Sequence, residues 1–301
     1  MAAPYRDAAT FRAALVESGL LVPTAAQGLW HRSGEFEDVV LGLGRYIEKQ
    51  RISPALRRVF PPLIALDSFL ATDYLRSFPD MIGSVEIFSG GDSEHRALLS
   101  DLADGIDWTG HLTASEVVLS SSVCHSLYGT LPTSVPTAGV NAEVTGFVFR
   151  HEPSPDPARM QSFRQFDYVH IGTPEAALAH RDLWQRRGAA ALAALGLPVR
   201  VEAANDPFFG RVGKVLASNQ LDAALKYEVI VDNTDERPTA ISSANYHEDH
   251  FGSAFGLRLP DGSVAHSACF GFGLERIALS LFAHHGLEVD AWPADVLGAL
   301  A

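Results

Sequence analysis

Two strand-like runs, residues 146–152 (GFVFRHE) and 162–171 (SFRQFDYVHI), flank the loop PSPDPARMQ, and no other stretch constrains the fold as much. Pro153, Pro155 and Pro157 keep the loop from becoming helix, so the runs are expected to pair as a long antiparallel hairpin. Further strand-like runs at 225–231, 239–245 and 254–259 extend an antiparallel sheet. Helical spacing fills residues 174–195, closed by Gly196 and Pro198, and resumes in CFGFGLERIALSLFAHHG after the turn PDGS. Residues 1–50 read as helical, with Phe11, Leu15 and Leu20 at helix-like spacing and no chemical motif. From Arg57 the texture changes to short apolar runs broken by Pro and Gly, among them VFPPLIAL, SFPDMIGSVEIF and HLTASEVVL. No repeat or low-complexity linker interrupts the chain. The expected architecture is one α+β domain over 1–301, an antiparallel β-sheet flanked by helices, with a helical segment at 1–50 and the core at 51–301.

A composition of 47% hydrophobic and 20% charged residues in 301 suffices for a large core. No stretch approaches the roughly 18 to 20 apolar residues that a membrane span needs. The start, MAAPYRDAATFRAAL, carries Asp7 and has no secretory apolar region, so the chain is expected in the cytoplasm. Two cysteines cannot form a disulfide framework, which leaves free thiols or metal ligands. A net charge of −13 opposes any large nucleic-acid footprint. A local basic patch stays open, since Arg181, Arg186 and Arg187 lie on one expected helix.

Arg150 and Glu152 sit two apart on one strand and so share a face. They could form an ordinary ion pair. Alternatively they belong to an ATP site, with Arg150 on the α-phosphate, Glu152 at the adenine amino group and Phe163 stacking on the base. The second feature, Gly271 to Arg276 (GFGLER), is neither a P-loop, because no GK[ST] follows, nor a dinucleotide fingerprint, whose glycine spacing differs. It is a strand that delivers an arginine at the start of a helix. His247 and His250 in NYHEDH do not have HExxH spacing and are expected to make satisfied hydrogen bonds near the pocket, and His284 and His285 to be solvated or C-capping.

FRHE, a loop and FR, followed by GFGLER, resemble the motif 2 and motif 3 pair of class II aminoacyl-tRNA synthetases. VFPPLIAL resembles motif 1 at the dimer interface, LTASEVVL the seryl Thr-x-Glu segment and TAISSANYHEDHFG the serine-rich strand before motif 3. Within that superfamily, SFPDMIG, NDPFFGR and NYHEDHFG resemble the amino acid:[carrier protein] ligases, relatives of atypical seryl-tRNA synthetases. The resemblance spans about Arg57 to the C-terminus and implies a six-stranded antiparallel core. It places Arg150, Glu152, Phe163, Arg159, Met160, Lys226 and Arg276 at ATP, with Arg150 and Arg276 catalytic. Gln165, Ser243, Ala244 and Asn245 fall beside the amino-acid pocket.

It also implies a catalytic zinc on Cys124, Asp167 and Cys269, with the open position for the substrate amino group. The family's carboxylate is commonly Glu, one methylene longer than Asp167. Magnesium would come with ATP and meet Glu228, since Ala240 stands where tRNA-charging relatives carry an acidic ligand. The implied reaction joins a small amino acid, such as glycine or alanine, to the phosphopantetheine thiol of a carrier protein through an aminoacyl adenylate, in a homodimer that does not serve tRNA. A tRNA-charging enzyme and a silent regulatory paralogue are the alternatives.

Overall fold

The computed structural model describes residues 3–206, 209 and 224–301. The chain opens with α1 (Ala8–Glu17), a ribbon of β1 (Leu21–Pro23) and β2 (Trp30–Arg32), and α2 (Gly34–Glu48). Then come β3 (Leu56–Phe60), β4 (Leu63–Ala65), α3 (Leu66–Ala71), α4 (Tyr74–Ser77), β5 (Ser84–Ile87), α5 (Asp92–Ala103), β6 (Thr113–Leu119) and α6 (His125–Tyr128). The hairpin is β7 (Val140–Phe149) with β8 (Ser162–Gly172), followed by α7 (Pro174–Ala194) and β9 (Arg200–Ala203). β10 (Lys226–Val231), β11 (Thr239–Glu248), α8 (His250–Phe255), β12 (His266–Gly273), α9 (Leu274–His285) and α10 (Ala294–Leu300) complete the described strands and α-helices. Helix starts follow local chemistry. Asp7, Ser33 and Thr173 cap α1, α2 and α7 by accepting from the backbone N–H three residues on, and Pro174 fills the first position of α7, where no N–H is needed.

The main sheet has the order β3-β7-β8-β12-β11-β10-β9. Six strands from β7 to β9 run antiparallel, as expected, and β3 adds a parallel edge beside β7. A smaller sheet of β4, β6 and β5 lies apart.

Alternation along the strands sorts core from chemistry. On β8, Phe166 and Tyr168 turn toward the helices; the Tyr168 hydroxyl donates to the Ile47 carbonyl of α2 at 2.7 Å, and its ring stacks on Trp184 of α7 at 3.8 Å. On β12, Phe270 and Phe272 point the same way and are fully buried. Gly188 makes this approach possible, since a Cβ there would lie 2.2 Å from the Phe270 ring. The intervening residues, Phe163, Gln165 and Asp167 on β8 and Cys269, Gly271 and Gly273 on β12, face a cavity on the other side.

Three expectations need correction. Residues 254–259 are not a strand: α8 occupies the first part, Gly256 ends it with a positive φ of 66°, and only Arg258 forms isolated bridges. Gly252 lets this helix lie on the β12 approach, where a Cβ would come 1.9 Å from the Ala265 carbonyl oxygen, so packing decides what strand-like composition suggested. The basic patch does not assemble either. Arg181 is buried, paired with Asp182 and donating to the Ala224 carbonyl, while Arg187 donates to the Gln50 carbonyl. His285 caps α7 rather than its own helix, donating to Leu195 at 2.8 Å, and His284 is half-buried rather than solvated. No described helix is long and apolar enough to cross a membrane. The NDPFFGR segment lies largely outside the described residues.

Candidate active site

The cavity measures about 620 Å³, a size that suits small ligands. Its floor is the face of β8, β10, β11 and β12 opposite the helices, and its wall comes from segments around Thr72–Met81 and Ser122–His125 and from α8.

One end is cationic and aromatic. Arg150 follows β7 directly, and Arg276 stands in the first turn of α9, which starts at Leu274 directly after β12. Both guanidinium carbons lie near the Phe163 ring, at 5.6 and 5.5 Å from its centroid. Arg150 Nε donates to the Ser121 carbonyl at 3.1 Å; Arg276 donates to the carbonyls of Ala158 and Ala240 at 2.9 and 3.2 Å. Carbonyls orient these cations without neutralising them. Neither makes an ion pair among the described residues, although both Arg150 and Glu152 border the cavity. Burial first, then the neighbouring Arg150, holds the Arg276 guanidinium below its ordinary value. Two such cations around one ring form a place for an anion next to a flat ring. Glu152 lies past the end of β7 rather than on it, and its carboxylate comes 3.9 Å from Arg159.

Lys226 lies at the cavity, where a nucleotide contact was expected. Asp206 and Glu228 already pair with it, the latter at 3.0 Å. Met160 is buried in the core and its side chain does not line the cavity. Ala244 likewise packs in the core on the far face of β11, as the period of two requires when Ser243 and Asn245 face the ligand side.

The other end collects acidic donors. Cys124, Asp167 and Cys269 are all buried and each offers a ligand atom, these atoms lying within 4.8 Å of one another. Three separate elements bring them together: β8 for Asp167, β12 for Cys269 and the residue ahead of α6 for Cys124. Asp167 Oδ1 is buried without a hydrogen-bond partner. A hydrogen bond from Cys269 holds the Cys124 thiol below its usual value, and donating that bond, with burial, pushes Cys269 well above its own. Burial and then the neighbouring Cys124 push Asp167 far above the carboxylate range. Three acidic groups this close cannot all ionise unless a cation joins them. An orphaned oxygen beside two thiols is a donor set fitting a zinc-type ion.

Neutral polar groups surround this cluster. The Gln165 carbonyl oxygen accepts from Val123 N at 2.9 Å and from Ser122 Oγ at 3.3 Å. Asn245 Nδ2 lies 3.1 Å from Ser243 Oγ and 3.5 Å from Cys269 Sγ. His247 Nε2 is 3.5 Å from Cys269 Sγ, while Nδ1 meets Ser267 Oγ at 3.0 Å and Tyr128 Oη at 3.3 Å. Burial drives the His247 pKa down to about 3, so it is neutral. His250 Nε2 donates to the Thr72 carbonyl at 3.2 Å. Both histidines are therefore hydrogen-bonded beside the pocket, as expected. Sequence reasoning missed His125, which lines the cavity against Tyr74 and Phe251, although it directly follows Cys124. It also missed Glu275, which stands inside GLER yet turns away from the cavity to meet Arg164 and Arg32.

No family model matches the chain. It is 37% identical over 279 residues to amino acid–[acyl-carrier-protein] ligase 1 of Bradyrhizobium diazoefficiens, covering 91% of this chain and 86% of that protein. With ligase 2 of the same organism it shares 39% over 277 residues, covering 90% and 83%. In three dimensions it matches Methanopyrus kandleri SerRS, solved with A. aeolicus tRNASec, at a TM-score of 0.82 and 20% identity. That match covers 98% of this chain but 61% of the other, and at such identity it speaks for the fold alone.

Proposed function

The chain belongs to the amino acid–[acyl-carrier-protein] ligases, and from that premise we propose that it activates a small amino acid, glycine or alanine, with ATP and passes it to the phosphopantetheine thiol of a carrier protein. The observation that carries the first step is the pair Arg150 and Arg276 around Phe163, cations held by carbonyls and facing a cavity. Adenine stacks on Phe163 near Glu152, and the two arginines meet phosphate oxygens. The amino acid carboxylate attacks the α-phosphorus; a new O–P bond forms, the α–β bridge breaks and pyrophosphate leaves with the charge that the arginines stabilise. Magnesium would come with ATP and Glu228 would be the residue to meet it. In the second step the carrier's sulfur attacks the acyl carbon, the bond to AMP breaks and the thiol proton passes to solvent.

Cys124, Asp167 and Cys269 would hold zinc, whose open position would offer a bond to the neutral α-amino group. Gln165, Ser243 and Asn245 border the same end and shape the space for the side chain. The homodimer reading draws support from the edge around Pro61 and Pro62, where Val59 is 80% exposed and Leu63 and Leu66 stand uncovered. ATP/pyrophosphate exchange across the twenty amino acids, followed by mass analysis of a loaded carrier protein, tests the reading. Exchange with a small amino acid and a carrier gaining the acyl mass is expected; absence of exchange with every amino acid overturns it.

A further inference from the structure

We propose that Gln165 is a positioning residue for the metal site: its side-chain carbonyl seats the Ser122–Cys124 segment so that the Cys124 thiolate meets Asp167 and Cys269. This rests on the zinc reading above. Cys124 is the donor that no sheet strand carries, and it stands at the start of a helix only four residues long. Something other than regular secondary structure must therefore fix its Sγ.

The contacts locate that support. Gln165 Oε1 accepts from Val123 N at 2.9 Å and from Ser122 Oγ at 3.3 Å, and the same Ser122 Oγ lies 3.3 Å from Cys124 Sγ. Val123 is buried, so its N–H has no recourse to water if the acceptor is lost. Gln165 is itself held, because its backbone carbonyl accepts from Thr145 Oγ1 at 2.9 Å. Directly across the β7–β8 ladder is Gly146, where a Cβ would lie 3.3 Å from the Val123 side chain. Gly146 and Gln165 thus form one seat under the segment. Since Asp167 is two residues along the same strand, β8 supplies one ligand directly and places another through this seat. The link reaches further, because the Ser121 carbonyl next in the segment orients Arg150. The role adds to a place beside the amino-acid pocket: the side-chain oxygen of Gln165 is committed to Val123 N and Ser122 Oγ.

The test uses cobalt(II) and zinc(II) titration of the metal-stripped, full-length protein, read by thiolate–cobalt absorption and by zinc competition with a chelator. Gln165→Met keeps length and removes the acceptor; Gln165→Glu keeps an acceptor in place. The expected result is about 10- to 100-fold weaker binding and an altered cobalt spectrum for Gln165→Met, of the order seen when groups supporting metal ligands are lost, with Gln165→Glu within a few-fold of wild type. Thermal melting of each stripped variant identifies loss of folding. If Gln165→Met misfolds, the wild-type and Gln165→Glu titrations decide: a Glu variant that folds but binds tenfold weaker overturns the proposal. Wild-type affinity and spectrum in Gln165→Met overturn the role of Gln165 while leaving zinc in place. A wild-type protein that binds neither metal overturns the zinc reading and this role with it.

Discussion

The carboxylate of Asp167 lies over Gly271, its register partner on β12, so closely that a Cβ at 271 would stand 2.8 Å from Oδ1. Gly271 sits in a strand, and its use is steric: it vacates the volume that Asp167 fills. Gly271→Ala should displace the carboxylate and lower zinc affinity about 10-fold or more, a loss typical of misplaced ligands. Gly273→Ala, with its nearest neighbour at 3.4 Å, should retain metal. Metal content by elemental analysis after dialysis separates the two, and equal zinc in both would remove Asp167 from the ligand set.

Arg276→Ala should abolish exchange, by about 10²- to 10³-fold, because it removes one of two cations facing the same charge. The side chain is anchored by two carbonyls, contacts that other parts of the fold do not depend on, so the protein should still fold. Steady-state exchange with a folded variant at near wild-type rate would sink the phosphate role.

Much of this was legible because strand periodicity and motif spacing act locally. The hairpin, β8 facing both ways and the helix after GFG all follow from alternation and from proline and glycine placement. Placing Ala244 beside the pocket with Ser243 and Asn245 ran against the period of two, which turns it into the core. Other features depended on partners far off in sequence. Lys226 is neutralised by Asp206, and Arg181 is drawn into the interior by Ala224 and Tyr227. Residues 254–259 carry strand-like composition, but stacking of Phe251 on Tyr128 at 4.2 Å favours a helix instead. Cys124, Asp167 and Cys269 could be paired only through family resemblance, since nothing in a spacing of 102 residues, from 167 to 269, foretells adjacent strands.

Acid should weaken the fold through His180, whose pKa burial lowers from 6.5 to about 4. The folded state therefore favours the neutral ring, which sits 3.2 Å from the Tyr168 carbonyl and stacks on His170. Above pH 6.5 both folded and unfolded chains carry it neutral, and its contribution is fully present. Below that the unfolded chain takes a proton first, so stability falls until the folded ring also titrates near pH 4. One such proton sets a slope of at most about 1.4 kcal/mol per pH unit. Urea melts at pH 7.5, 6 and 5 should show this decline, and His180→Gln should make it shallower; an unchanged slope in the variant would assign the decline to other groups.

Glu275 should matter to stability more than to chemistry. It is fully buried, accepts from the backbone N–H and Nε of Arg164 at 2.6 and 2.8 Å, and receives Arg32 Nη1 at 2.9 Å. Arg164 spans onward to both carboxylate oxygens of Glu37. The network joins α2, β8 and α9 behind the sheet, so it holds the helix whose first turn carries Arg276 against the strand that carries Phe163 and Asp167. Removing the carboxylate leaves two arginines short of a partner in a low-dielectric region, and breaking a buried pair in this way costs about 3 to 5 kcal/mol. Glu275→Ala should lower the urea midpoint accordingly, with exchange activity at low temperature falling only as far as Arg276 shifts. Arg164→Met with Glu275→Leu should recover part of the loss, because Arg164 then leaves no unpaired charge and Arg32 keeps Glu37 at 3.9 Å. A double variant as unstable as Glu275→Ala would mean that shape, not charge pairing, governs this junction.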